Sequence, residues 1–309
     1  MRFVLLVLTG IFVAACAQSP SPTQTALPAS QNVATFTPTP LVIPTQPAQT
    51  EAPLLPTATA TPPPVTATPI PGLEDAIAKG IGFLNERYNA IYGLHNESPL
   101  VAPNTYWLTT DNWLALRALR AAGEAERAAQ VSEAIGDVRH GLLEALDGEV
   151  VAWPPIVETQ TVVEERGNDK IQVEQRLTGN EYLDWQEYAD LAFYNALNAH
   201  NQNQHSEAQQ RYAQTLEMFN GIGFADKAYK AQDGHGFYAT YKLALALYVG
   251  VQIGEPLDSR LLEALLAKQD DSGGFVTLYQ TDGTPTGDAN TETTSYAILA
   301  LAALQQAGR

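Results

Sequence analysis

Four segments of this chain repeat one helical pattern, and that recurrence limits the fold more than any other feature. Asp111-Asn112-Trp113-Leu114-Ala115-Leu116-Arg117-Ala118-Leu119 is echoed by Tyr188-Ala189-Asp190-Leu191-Ala192-Phe193-Tyr194-Asn195-Ala196-Leu197. Thr240-Tyr241-Lys242-Leu243-Ala244-Leu245-Ala246-Leu247 and Thr294-Ser295-Tyr296-Ala297-Ile298-Leu299-Ala300-Leu301 complete the set. Each is rich in Leu and Ala on most sides, which is the pattern of a buried, closely packed helix. By contrast 124–145 and 257–269 carry wide charged faces, as outer helices should. Apolar residues at three- and four-residue steps predict helices over 74–89, 111–122, 124–145, 184–202, 205–219, 238–252, 257–269 and 291–307. Gly123, Gly254 and Gly308 stand where helices should stop. The expectation is an all-α domain of about four helical hairpins, with four inner and four outer helices.

One stretch breaks the helical period. Val157, Thr159 and Thr161 alternate with polar residues, Arg166-Gly167-Asn168-Asp169 offers a turn, and Ile171, Val173 and Gln175 resume the alternation. A protruding two-stranded hairpin is expected over 157–177.

The last repeat holds the most specific signature, Gln269-Asp270-Asp271-Ser272-Gly273-Gly274-Phe275, followed by Thr291-Glu292-Thr293-Thr294. It resembles the Gln-x3-Gly-x-Trp repeats of squalene-cyclase and prenyltransferase-like α/α toroids, with phenylalanine in place of tryptophan. The resemblance implies that the glutamine caps helix ends and that the Gly-aromatic strand tucks a turn against the next inner helix. Six-hairpin glycosidase-type toroids share that architecture, but this chain has about eight helices where those rings have twelve. The activities of these families that need a cysteine do not carry over, because the chain's only cysteine is Cys16. Zinc prenyltransferases hold their metal with Asp, Cys and His, and thioester domains also require a thiol. The Asp-x-Asp-Asp acid of triterpene cyclases is absent, and Asp270-Asp271 is better explained as a turn.

The 72 residues before this domain have other work. Arg2 leads an apolar run from Phe3 to Val13, which ends in Ala14-Ala15-Cys16. The run falls short of the roughly 20 residues that a membrane-spanning helix needs, so residues 1–16 are read as a secretory signal. Val13-Ala14-Ala15-Cys16 resembles a bacterial lipoprotein lipobox. The resemblance implies cleavage before Cys16, a diacylglyceryl thioether on its sulfur, and an extracytoplasmic protein held to a membrane by lipid. Residues 17–72 contain 14 Pro, 12 Thr and a single charge, Glu51. Such a segment offers no core to offset the entropy of ordering and is expected to be a disordered stalk. Extended at about 3.1 Å per residue, it would reach on the order of 170 Å.

Charge narrows the partners. The chain has 17 Lys plus Arg against 34 Asp plus Glu, a formal net charge of -17. No concentrated basic face is available for a phosphate backbone, so nucleic acid is excluded. One cysteine permits neither an internal disulfide nor a thiolate metal cluster. His200 and His205 have the wrong spacing for a helix-face metal pair, and Asp282, Asp288, Asn290 and Glu292 match no EF-hand order. No metal and no cofactor are expected.

Chemistry would then sit where the inner helices present their N-termini, since unsatisfied N–H groups and the positive end of each helix dipole favour acids there. Asp111, Glu187 and Glu292 come from three repeats and are the candidate catalytic carboxylates. Each also fits a plain first-turn acid. His235, in Asp233-Gly234-His235-Gly236, is the candidate base for a lyase-like reaction, and His95 borders Asn96-Glu97-Ser98-Pro99, which lines the mouth or covers it. Tyr106, Trp107, Trp185, Tyr238, Tyr241 and Tyr279 crowd the same loops and are candidate substrate-binding rings, because aromatic faces suit the apolar faces of sugars. Paired carboxylates beside such rings meet the needs of glycoside hydrolysis. The expected function is a lipid-anchored, carbohydrate-active surface protein, hydrolase-like or lyase-like on oligosaccharides. The alternative is a non-catalytic glycan- or protein-binding module or scaffold.

Overall fold

Outer helices with one apolar stripe pack against inner helices that are buried on nearly every side, and short strands join them. The structure, a computed structural model, describes residues 70–100, 107–136, 141–156, 159–166, 169–176, 181–230 and 236–308. Cys16, the lipobox and residues 17–69 of the stalk lie outside them.

In chain order the elements are α1 (Leu73–Arg87), β1 (Tyr88–Asn89), β2 (Leu94–His95), β3 (Trp107–Leu108), α2 (Thr109–Ala121) and α3 (Ala125–Ile135). After a 3-10 turn at Gly141–Asp147 come β4 (Thr159–Arg166) and β5 (Asp169–Arg176). A second 3-10 turn, Trp185–Glu187, leads into α4 (Ala189–Asn201), followed by α5 (His205–Leu216) and the single turn α6 (Lys227–Lys230). The remainder is β6 (Phe237–Ala239), α7 (Thr240–Gln252), α8 (Ser259–Leu266), β7 (Leu278–Gln280) and α9 (Thr291–Gln306). The protein is therefore mostly α, with small sheets.

The inner helices are α2, α4, α7 and α9. α9 packs on both α7 and α2, and α4 packs on α7, while α3, α5, α8 and α1 lie against α2, α4, α7 and α9 respectively. Sequence composition explains the division. α7 buries Leu243, Ala244, Leu245, Ala246, Leu247, Val249 and Gly250, whereas α8 buries only the stripe Leu261, Leu262 and Leu265. Small residues let backbones approach: a Cβ at Gly250 would lie 2.6 Å from the Tyr212 hydroxyl, and one at Gly80 would lie 3.0 Å from Ile298 Cγ1. Three inner helices end alike. Gly123, Gly254 and, after α4, Asn203 adopt positive φ, and the next N–H folds back on the helix: Glu124 to Leu119, Glu255 to Gly250 and Gln204 to Ala199.

The loop entering each inner helix also serves its neighbour. Ala189 N donates to Asp226 Oδ1 in the loop before α7, and Thr240 N donates to Thr277 O in the loop before α9. Thr291 N in turn donates to Glu97 O, in the loop before α2. β6 pairs with β7, and β3 pairs in parallel with β5, which precedes α4. The two strands pair antiparallel with Arg166 opposite Asp169, and they are docked through β3 and the buried Ile171 rather than simply protruding.

Two expected helices are interrupted where their periodicity runs on. The 124–145 helix stops at Gly136, φ 63°, and resumes as the 3-10 turn at Gly141. The 184–202 helix is broken at Tyr188, whose extended backbone separates the 3-10 turn from α4.

Gln269-to-Phe275 forms a tight turn between α8 and β7. Gln269 Nε2 donates to Ala76 O at 2.8 Å and to Gly273 O at 2.9 Å, and Phe275 N donates to Thr294 Oγ1 of α9 at 2.9 Å. Gly273 has φ +85°, and a Cβ there would sit 2.5 Å from the Lys79 carbonyl oxygen. A second turn of the same design follows α5. Phe219 bridges to Phe224, with Asn220 N to Gly223 O and Ala225 N to Met218 O, where the first has Asp270 N to Gly274 O and Val276 N to Lys268 O.

Candidate functional site

The second residues of α4, α7 and α9 are Asp190, Tyr241 and Glu292, and one turn further along α4 and α9 stand Tyr194 and Tyr296. Residues four apart share a helix face, so Asp190 with Tyr194 and Glu292 with Tyr296 point the same way. The Tyr241 hydroxyl donates to Asp190 Oδ2 at 2.7 Å, the Tyr194 and Tyr296 hydroxyls meet at 2.5 Å, and the Tyr241 and Tyr296 rings lie 5.7 Å apart. Glu292 acts electrostatically on all three phenols, as does Asp190. Asp190 is buried and Glu292 is half-buried.

A buried charge triad backs this face. Lys242 Nζ lies 3.3 Å from Asp190 Oδ1 and 2.5 Å from Asp226 Oδ2, and Asp226 also caps α4 through Ala189 N at 3.0 Å. Burial pushes the Asp226 carboxyl up, while Lys242 and the Ala189 N–H pull it back. Burial raises Tyr194, Tyr241 and Tyr296 well above the usual phenol range; Asp190 and Glu292 raise all three further, and the hydrogen bond from Tyr296 partly offsets the rise at Tyr194. These hydroxyls therefore stay protonated and act as hydrogen-bond donors and acceptors, not as bases.

The expected site residues are distributed unevenly over this arrangement. Glu292 belongs to it, and so does Tyr241. Glu187 does not open α4: it closes the preceding 3-10 turn, two residues before the helix, and Asp190 holds the first-turn position instead. Asp111 is the third residue of α2, one step beyond the register of Asp190 and Glu292, and is buried. Trp107 and Tyr279 are fully buried, with the Tyr279 hydroxyl donating to Ile222 O, so neither exposes the face of its ring at the surface. Tyr238 accepts from Asn220 Nδ2 at 2.6 Å, and half-buried Trp185 stands edge-on to Trp153. His235 and Tyr106 lie outside the described residues.

Sequence reasoning missed Asp190, Asp226, Lys242, Tyr194 and Tyr296. Asp190 and Tyr296 were within reach, because aligning the four repeats on their first helical residue places acids and tyrosines in columns. Lys242 and Asp226 carry no such signal, since a search for paired acids ignores a lysine and a loop aspartate 16 residues away. Among the described residues, no group of three or more His, Cys, Asp and Glu side chains is arranged to hold a metal ion. No helix among them is long and apolar enough to cross a membrane. The chain matches no known protein-family model, no curated protein and no solved structure.

Proposed function

We propose that residues 73–309 form a small α/α toroid that binds uncharged oligosaccharide without turning it over, displayed outside the cell on a lipid anchor at Cys16 and the Pro/Thr stalk. Support for the ring comes from the loop pairings, in which each inner helix is tied to the loop entering the next and α9 is tied back to the loop before α2. The observation that carries the binding reading is the convergence of Asp190, Tyr241 and Glu292 from equivalent positions of three inner helices, with Tyr194 and Tyr296 one turn deeper. The half-buried Glu292 carboxylate and the half-buried, protonated Tyr241 match vicinal sugar hydroxyls, which both donate and accept. Exposed Phe237 and half-buried Tyr238 and Trp185, on loops entering α7 and α4, supply faces for sugar C–H surfaces.

Binding is favoured over turnover because hydrolysis needs one protonated and one ionised carboxyl free to act. Here Asp190 and Asp226 are both engaged by Lys242, and the phenols are held protonated. The net charge of -17 disfavours anionic glycans.

A glycan array and a polysaccharide-turnover assay on the full chain with Cys16→Ser test this directly. Saturable binding of neutral glycans, weakened at least tenfold by Glu292→Gln and Tyr241→Phe, is the expected result. Turnover abolished by Asp190→Asn would replace it with the enzyme reading, and neither binding nor turnover would remove both. Detergent-phase partition of the wild type, lost on Cys16→Ser, tests the anchor.

A further inference from the structure

Around the first turn of α2 lies a second polar cluster that the glycan reading leaves unused. His95, Trp107, Thr109 and Asn112 are each almost wholly buried. Asn112 ties β2 to β3: its Nδ2 donates to His95 O at 3.0 Å and to Leu108 O at 2.8 Å. Those two bonds fix the amide orientation, so Oδ1 is the acceptor, receiving His95 N at 2.5 Å and facing His95 Nδ1 at 3.2 Å. An acceptor opposite Nδ1 requires the proton on Nδ1 and leaves Nε2 of the neutral ring as a bare acceptor. Burial, helped by Arg127, holds the ring neutral, lowering its pKa to about 4 against the hydrogen bond to Asn112. His95 Nε2, Trp107 Nε1 and Thr109 Oγ1 have no hydrogen-bond partner among the described residues.

That set is one acceptor, one donor and one hydroxyl that can be either. A single group that met both His95 Nε2 and Trp107 Nε1 would have to be uncharged, because the indole N–H repels a cation and the imidazole lone pair repels an anion. Only an uncharged group that both gives and takes a hydrogen bond satisfies both. We infer that the junction of β2, β3 and the α2 N-terminus is a binding site for an uncharged O–H group, with His95 Nε2 accepting from it and Trp107 Nε1 donating to it. An internal water and the hydroxyl of a neutral ligand share that chemistry. The site does not depend on the proposed glycan function, since water alone would fill it.

The test is NMR of the full chain carrying Cys16→Ser, with ¹⁵N-labelled histidine and tryptophan. The expected result is His95 as the Nδ1–H tautomer throughout pH 5 to 8, with its Nε2 resonance shifted as for a hydrogen-bonded acceptor. A long-lived water cross-peak at the Trp107 indole proton without sugar identifies water. If that peak is missing, a saturable shift of the same proton with maltotriose identifies a ligand hydroxyl. A proton on His95 Nε2, or His95 titrating near pH 6.5, overturns the inference, as does the absence of both Trp107 signals. A water cross-peak with a blank glycan array would keep this site and discard the glycan reading.

Discussion

At the N-terminal ends of α4 and α7 a buried ammonium joins two carboxylates, whereas in the first turn of α2, where Asp111 is also buried, the hydrogen-bonded pair is a neutral imidazole and a carboxamide. Both clusters join an inner helix to neighbouring loop residues, and both lie among apolar residues. They differ in what happens when one member is lost. In the triad each charge is tolerable only because the others are present, so removal of one strands the rest in a poor solvent for ions. In the neutral cluster loss of a member strands dipoles, at smaller cost. The charged cluster is thus the more brittle joint, and through its member Asp190 it holds the Tyr241 hydroxyl.

The most severe way to break that contrast is Lys242→Met. It leaves Asp190 and Asp226 buried without their counter-ion, and about 3 to 5 kcal/mol of stability is expected to be lost in denaturant unfolding. Adding Asp190→Asn and Asp226→Asn should recover much of that loss. A Lys242→Met cost below about 1 kcal/mol would show that the triad carries no more weight than the neutral cluster.

Acid should find the neutral cluster. The His95 pKa in the folded chain is lowered from 6.5 to about 4, chiefly by burial. Below 6.5 the unfolded chain takes up a proton that the folded chain refuses, so this contribution is complete above pH 6.5 and lost as pH falls toward 4. About 3 kcal/mol is at stake in all. Thermal unfolding followed from pH 7 to pH 4 should therefore show a fall that His95→Gln flattens. An unchanged slope in the variant would mean that groups other than the imidazole set the acid limit.

Much of this architecture is visible in the residues, and the parts that are not have identifiable physical causes. α2, α7 and α9 begin within two residues of the sequence expectation because Leu and Ala recur with helical period and nothing competes locally. Tyr188 is different. The period runs through it, but its N–H closes on Trp185 O and starts α4 afresh, so the helix-entry acid is Asp190 and not Glu187. Strands of two or three residues, such as β3 and β6, have no period to detect. The turn at 219–224 escaped because Phe219 stands where the other copy has Gln269 and the loop is one residue shorter, though Gly223-Phe224 repeats Gly274-Phe275. The triad was hidden for another reason: it is made by helix packing, which sequence spacing does not report.

Asn112→Leu addresses the neutral cluster from its centre. It removes the acceptor of His95 N–H and the donor to His95 O and Leu108 O while keeping the side-chain volume similar. Each stranded group costs roughly 1 to 3 kcal/mol, reduced as the loop relaxes, so a net loss of about 2 kcal/mol is expected in denaturant unfolding. The same variant should free the His95 tautomer, giving a mixed ring signal by ¹⁵N NMR. A single tautomer in Asn112→Leu would mean that another group orients the ring.

The smallest expected effect separates the phenols from the charges behind them. Tyr194 and Tyr296 share one hydrogen bond at 2.5 Å in a buried setting. Tyr296→Phe deletes one hydroxyl and leaves Tyr194 without that partner, a loss of about 1 kcal/mol. Deleting both hydroxyls strands nothing, so the double variant Tyr194→Phe with Tyr296→Phe should be no less stable than the single one. The triad cannot behave this way unless all three of its charges are replaced together. If the double Phe variant instead loses stability additively, each hydroxyl has its own solvent or ligand partner. The tyrosine pair would then belong to the binding surface formed with Glu292 and not to the core beneath it.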